Sequence, residues 1–296
     1  MNVYEDVTSK IIDALEAGVG PWVRPWKNNW MNRNGLSGRP YRGINILVLN
    51  ITALAKGYDD PRWVTFRDAK KLGGHVRKGE TATSIVFWKF INIDDLNDPE
   101  NDNEPGKRVI PLVKTYSVFN VTQCENLCIR PFEEETENKK TFTDEVNHPA
   151  ERIIALPKVH HGGSRACYSI GTDCVYLPHR HAFETIEHYY GTGLHEVVHW
   201  TGHESRLARV FGTRFGDEAY AFEELVAEIG SAFLGAQAGL SFRELRHPEY
   251  IGNWIQVLKG DNKAIFTASR KAQEASEYIL KEAGLTEETK SIAEAV

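Results

Sequence analysis

The apolar positions near the start of the chain repeat with a helical period. Val7, Ile11, Ile12 and Leu15 share one face and Gly18 and Gly20 follow them, which predicts a helix over residues 4–17. A second helix is predicted over 43–56 (GINILVLNITALAK), with Asn45 and Asn50 inside an otherwise apolar run. The intervening PWVRPWKNNW holds Pro21 and Pro25 and cannot be a regular helix interior. Farther on, Trp63-Val64-Thr65-Phe66 reads as a short extended stretch, and RDAKKLGG as a short basic helix ended by Gly73 and Gly74. The pattern then turns to β-branched and aromatic residues. SIVFWKFINI (84–93) and VIPLVKTYSVFNV (109–121) are predicted strands, and the acidic, turn-rich DDLNDPENDNEPG between them is a solvated hairpin loop.

Residues 131–149 (PFEEETENKKTFTDEVNHP) are charged and poor in large apolar side chains, which marks a linker. In CYSIGTDCVYLP, Gly171-Thr172-Asp173 separates two short extended runs, a hairpin signal. Long helical patterns follow in HAFETIEHYYGTGLHEVVHWTG, ending at Gly202, and EAYAFEELVAEIGSAFLGAQAG, ending at Gly239. IGNWIQVLK and FTASRKAQEASEYILKEAG are two more. The expected architecture is α+β: an α+β domain over 1–130, a linker over 131–149 and a mainly helical domain over 150–296.

Composition narrows the class. Hydrophobic residues make up 41% and charged residues 26% of the 296, which excludes a collagen-like, coiled-coil or wholly disordered chain. No apolar run approaches the roughly 20 residues of a membrane helix. The acidic start, with Glu5, Asp6, Asp13 and Glu16, lacks the basic region of a signal peptide. A soluble cytoplasmic protein with no membrane partner is expected. Cys124, Cys128, Cys167 and Cys174 lack the paired spacing of a structural zinc site and are expected to be reduced.

One motif carries chemistry. His195-Glu196-Val197-Val198-His199 is HExxH, and histidines at i and i+4 lie on one helical face, where both imidazoles reach one metal ion. Glu196, rotated by about 100°, can act as general base without being a ligand. A catalytic site needs a third protein ligand and an open position. In the pattern HExxHxxGxxH Gly202 is in place, but the position for a third His holds Ser205 and His203 comes too early. The next helix offers Glu223, Glu224 and Glu228 on a largely apolar background, where carboxylates are costly unless ligated or paired. Glu224 is the favoured ligand, with Glu228 behind it orienting a histidine; Glu228 as the ligand is the competing assignment. One divalent metal is expected, zinc first, with manganese or another divalent ion as alternatives. Tyr220, Tyr250, His203 and His188 are candidates for stabilising an oxyanion, and CVYL (174–177) is a candidate edge strand for a bound peptide.

Charge is distributed unevenly. The formal total is −6, yet residues 21–92 hold thirteen Lys or Arg against four Asp or Glu, with five of the seven tryptophans. Cations interleaved with aromatic rings suit single-stranded nucleic acid: cations follow the phosphates and rings stack on bases. Trp22, Arg24, Trp26, Lys27, Arg39, Tyr41, Arg42, Arg77 and Lys78 are the candidate contacts, whereas Trp63, Trp88, Phe87 and Phe119 are assigned to the core or its margin.

The segments PWVRPW, YRGIN, WVTFRDAKKLGGHVRKGE, FWKF and YSVFNVTQ resemble the N-terminal domain of ArdC-type plasmid antirestriction proteins, which also opens TraC-type plasmid primases. LHEVVHWTGHESRL and YAFEELVAEIGSAFL resemble the zincin-like C-terminal domain of the same family. The resemblance implies a bacterial, plasmid-encoded protein that protects incoming DNA from restriction during conjugation. It also implies an N-terminal domain that binds single-stranded DNA without sequence preference, and a C-terminal fold like that of metalloproteases, including the Spartan type acting on DNA-bound proteins. Spartan-type enzymes use a third His, which has no clear equivalent here. Two functions follow: a DNA-tethered metalloprotease acting on an unknown protein substrate or restriction component, or a non-catalytic shield of DNA whose metal-bound fold is a scaffold.

Overall fold

Capping chemistry explains where several helices start. In the computed structural model, which describes residues 2–22, 31–92, 109–130, 147–212, 218–240 and 250–286, the Asn2 side chain accepts from the backbone of Tyr4 and Glu5 accepts from the backbone of Asn2. This capping box opens α1 (Val3–Glu16). The chain continues through β1 (Arg33–Asn34), α2 (Ile44–Lys56), β2 (Arg62–Val64), α3 (Phe66–Lys71), β3 (His75–Val76), β4 (Thr83–Asn92), β5 (Val109–Asn120) and β6 (Cys124–Glu125). Then come α4 (His148–Ile154), β7 (Lys158–His161), β8 (Cys167–Ser169), β9 (Cys174–Leu177), α5 (Ile186–Thr201), α6 (Glu218–Gln237), α7 (Ile251–Gly260) and α8 (Ala264–Glu282). Phe66, expected in an extended stretch, is the first residue of α3, because Thr65 and Asp68 form a second capping box just before it. No helix among the described residues is long and apolar enough to cross a membrane.

The chain forms two compact units that are not consecutive in sequence. The larger contains residues 1–31, 41–59 and 131–296, the smaller 32–40 and 60–130. Composition drew the division at 131–149; in space α1 and α2 instead join the C-terminal helices. The reason is burial. α1 turns Val7, Ile11 and Leu15 inward, and Ile44 through Asn50 of α2 are all buried, a surface too large to cover by packing these two helices on each other alone. α7 lies against α1 and α8 against α2. Residues 131–146 of the expected linker lie outside the described residues; 148–149 already belong to α4.

In the smaller unit the strand order is β1-β2-β5-β4. β4 and β5 form a long antiparallel ribbon running from Thr83 opposite Val118 to Asn92 opposite Val109. Val64, Ala69, Val76, Phe119 and Val121 make the core. Trp63 is fully buried and donates from Nε1 to Asn32 Oδ1 at 2.7 Å. Phe87 and Trp88, assigned by sequence to the core or its margin, are 46% and 38% exposed. They lie on the ribbon outside that core cluster.

In the larger unit α6 packs on α5, α7 and α8. The small sheet has the order β7-β9-β8, with β7 parallel and β8 antiparallel to β9. CVYL is β9, the central strand, so it is not the edge strand expected for it. β7, which the hydropathy pattern did not reveal, takes one side, and β8 is left at the edge beside α5.

Candidate metal centre

α5 and α6 build the site. Thr185 caps α5 by accepting from the His188 backbone at 3.2 Å, and Tyr189 through His199 are nearly all buried. The antiparallel approach of α6 is close: a Cβ on Gly230 would lie 2.9 and 3.0 Å from the two methyls of Val198, inside the HExxH segment. That approach brings the carboxylates of α6 to the histidines of α5. His195, Glu196, His199, Glu223, Glu224 and Glu228 are all under 9% exposed.

Three side chains converge. The Nε2 atoms of His195 and His199 are 3.1 Å apart; His195 Nε2 lies 3.4 Å from Glu224 Oε2, and His199 Nε2 lies 3.4 Å from Glu224 Oε1. Among the described residues these three form the group whose ligand atoms all fall within 4.8 Å of one another. Two imidazole nitrogens this close need a proton or a cation between them. Ligands about 2.05 Å from a tetrahedral ion stand about 3.3 Å apart; around an octahedral ion with bonds of about 2.1 Å they stand about 3.0 Å apart. The 3.1 Å between the two imidazole nitrogens therefore fits a small divalent ion, with the Glu224 carboxylate beside both.

The outward-facing nitrogens are also met by carboxylates. His199 Nδ1 is 3.3 Å from Glu223 Oε1, and His195 Nδ1 is 3.6 Å from Glu228 Oε2. Such contacts hold the ring so that the opposite nitrogen presents its lone pair to a metal. Glu223 is held in turn by Arg209, whose Nε reaches both of its oxygens at 3.1 and 3.0 Å and whose Nη2 donates to Oε1 at 2.8 Å. Arg209 also donates to Thr201 Oγ1 at 2.7 Å and to the Val198 carbonyl at 2.6 Å, binding the end of α5. Sequence reasoning offered Glu223 only as one of three glutamates for the third ligand and assigned Arg209 no role. The only signal was an excess of buried glutamates on α6, which calls for a buried cation to balance it.

Electrostatics match the geometry. Burial by itself lowers the pKa of His195, but the facing carboxylates of Glu224 and then Glu228 outweigh it and push the value up to about 10. His199 is likewise opposed by burial and raised to about 9 by Glu223 and Glu224. Burial acts to raise Glu224, yet the two histidines hold its carboxyl far below the usual range. Four buried carboxylates face one buried guanidinium, so with neutral imidazoles the cluster carries a formal excess of three negative charges. A divalent cation relieves it.

The surroundings of the cluster include β8: desolvation, and then the charge of Glu196, raise the Cys167 thiol above its ordinary value. Arg206 ties the β8–β9 turn to the end of α5, donating to Asp173 Oδ2 at 3.0 Å and to the Trp200 carbonyl at 2.6 Å. A cavity of about 480 Å³ opens beside the cluster, lined by Ile170, Gly171, Gly202, His203, Arg209 and Phe211. Of the four oxyanion candidates, Tyr220 stands one turn before Glu224 with its hydroxyl 3.2 Å from that of Tyr250. Burial, Tyr250 and the charge of Glu224 all raise its pKa, so it remains a donor. His188 is exposed, and His203 is 2.8 Å from the Ser205 hydroxyl.

The expected DNA contacts divide. Trp22 and Tyr41 are 5% and 7% exposed, so burial removes their rings from the candidate stacking surface. Arg24, Trp26 and Lys27 lie outside the described residues. Arg39, Arg42, Arg77 and Lys78 are exposed; Arg42 pairs with Glu277 and Arg77 with Glu80. The exposed rings are instead Phe66, Phe87, Trp88 and Tyr116, with Phe87 edge-on to Tyr116 at 5.3 Å.

Residues 1–119 match the model of the N-terminal domain of anti-restriction factor ArdC, and residues 140–271 match that of zincin-like metallopeptidases. The ArdC protein of plasmid R388 is 34% identical in its metal-free crystal structure, with a TM-score of 0.78 over 96% of this chain and 98% of that one. Its Mn(II)-bound structure gives 33% and 0.77 over the same shares. An uncharacterized protein of Sinorhizobium fredii, y4eC, is 36% identical over 94% of this chain and 91% of its own length. Two DNA primases TraC of Escherichia coli are also 36% identical, but the chain spans only 20% and 27% of their length.

Proposed function

The chain belongs to the ArdC antirestriction family, and on that premise we propose that it is a divalent-metal-dependent peptide hydrolase joined to a surface for single-stranded DNA. The observation that carries the hydrolase reading is the convergence of His195, His199 and Glu224, with Glu196 buried at the adjoining position of α5. Zinc suits a set of two imidazoles and one carboxylate best, and manganese is the alternative. A divalent ion held by these three residues would supply Lewis acidity toward a scissile carbonyl and its attacking water.

The chain's own groups supply the rest. Glu196 takes the proton of the water and delivers it to the leaving amine. Tyr220, kept protonated, donates to the oxygen on which charge develops. Glu223 and Glu228 hold the two rings in orientation, and β8 offers an extended substrate an edge to pair with. Glu228 stands behind His195 in this reading and is not the third ligand.

The DNA surface rests on exposed rings among exposed cations in the smaller unit: Phe66, Phe87, Trp88 and Tyr116 with Arg67, Lys70, Lys71, Arg77 and Lys78. Stacking tolerates any base, so binding is non-specific. In the bacterial cytoplasm the protein would then meet plasmid DNA entering as a single strand during conjugation and act on a protein gathered there, a restriction component among the candidates.

The test is Glu196→Gln. The variant should retain one metal ion per chain, lose cleavage of casein presented with an oligonucleotide by at least about 100-fold, and lose antirestriction in cells. Full antirestriction by a metal-loaded, cleavage-dead variant would favour a shield whose metal site is structural.

A further inference from the structure

We propose that Trp22 is a positioning residue of the metal centre, acting through Glu228 on His195. The proposal rests on the reading of His195, His199 and Glu224 as ligands. Trp22 Nε1 donates to Glu228 Oε1 at 3.3 Å in a buried contact. The other oxygen, Oε2, faces His195 Nδ1 at 3.6 Å, and His195 Nε2 turns to His199 and Glu224. The indole is hydrogen-bonded to the carboxylate and the carboxylate faces the imidazole at ion-pair distance, so the three side chains stand in line with the ligand atom.

The chemistry of the donor matters. An indole N–H donates and cannot accept, so it holds one oxygen of Glu228 and fixes the rotation of that carboxylate. So fixed, the carboxylate sets its other oxygen against His195 Nδ1 and orients the ring with Nε2 toward His199 and Glu224. The indole is itself held in place. It stands edge-on to Trp254 with ring centroids 5.5 Å apart, and the Pro21 carbonyl accepts from Asn50 Nδ2 at 3.3 Å. Trp22 and Glu228 are 206 residues apart and fall in the segments matched by different family models. The ligand geometry of the zincin-like segment therefore depends on a residue from the segment resembling the ArdC N-terminal domain.

The full chain is titrated with Zn(II) and with Mn(II) by calorimetry as wild type, Trp22→Phe, Glu228→Gln and the double variant. Phenylalanine keeps a ring against Trp254 and removes only the donor. Trp22→Phe is expected to weaken metal binding by about 10- to 100-fold and to add little further loss on top of Glu228→Gln, while the metal-free variant melts close to wild type. A second measurement needs no tryptophan variant: the indole N–H resonance of Trp22 should move on Zn(II) addition in wild type and be displaced by Glu228→Gln. Wild-type affinity in Trp22→Phe, losses that add in full with Glu228→Gln, or an indole resonance indifferent to both Zn(II) and Glu228→Gln would each overturn the proposal. Absence of stoichiometric metal in wild type would remove its premise as well, which separates that failure from the others.

Discussion

At the scale of single residues, the two histidines hold protons that a metal must displace. In the metal-free protein His195 is pushed up to about 10 and His199 to about 9, above an ordinary value near 6.5. The stabilisation that these charged rings provide is complete below about pH 6.5 and is lost as pH rises through 9 to 10. A bound cation requires both rings neutral. Zn(II) affinity should therefore rise with pH from about 6.5 toward 9, with protons released on binding at pH 7. Calorimetry in buffers of different ionisation enthalpy reads that release directly, and metal uptake without protons would contradict the assignment of these rings.

The two histidines of the candidate site were legible because i, i+4 spacing needs no tertiary information, whereas Glu224 was one choice among three glutamates of the next helix. The roles of Glu223 and Arg209 were not legible, since their value lies in meeting each other across a loop. Trp22 and Tyr41 were misread, together with Phe87 and Trp88, for a related reason. Whether a ring is a core element or a platform depends on the partner surface its segment meets, and composition places all four in the same basic stretch.

At the scale of elements, the distance between α5 and α6 sets the site. Gly230 has no Cβ where one would press the Val198 methyls at 2.9 and 3.0 Å, and its carbonyl accepts from the Ser276 hydroxyl on α8 at 3.3 Å. Val198 is β-branched and stiff, so a methyl at 230 must push the helices apart. Gly230→Ala is expected to cost about 1–3 kcal/mol of stability and to weaken Zn(II) binding about tenfold or more, since Glu224 and Glu228 ride on the same helix. Gly252→Ala on α7, where an added Cβ meets nothing within 4 Å, is the control; it should stabilise by up to about 1 kcal/mol. Denaturant melts paired with metal titrations separate the two effects. Most helices were legible from period and glycine ends. The short strands β1, β3, β6 and β7, of two to four residues, were not, because pairing rather than pattern defines them.

At the scale of the molecule, charge is separated along the chain: residues 21–92 carry a formal +9 and the rest −15. With the exposed rings, this predicts binding to an unstructured oligonucleotide that weakens steeply with salt, with a log–log slope of about −0.7 per phosphate neutralised. Phe87→Ala and Tyr116→Ala should each cost roughly 1–3 kcal/mol, alike for oligo-dT and mixed sequences. Fluorescence anisotropy across a salt series checks both, and an affinity unmoved by salt would sink the DNA reading.

The interleaving of the two units has a consequence for how the protein is made. The Thr8 hydroxyl on α1 donates to the carbonyl of Asn262, 254 residues later. At about 5–20 residues per second, α1 leaves the ribosome on the order of ten to fifty seconds before α7 and α8 exist to cover it. Residues 60–130 suffer no such delay, since their pairings lie within that span and residues 32–40 already synthesised. The smaller unit can settle while the helices on either side of it in sequence are still waiting for each other. A chain cut at residue 130 would stop the clock in that state, with the apolar faces of α1 and α2 permanently without the helices that bury them.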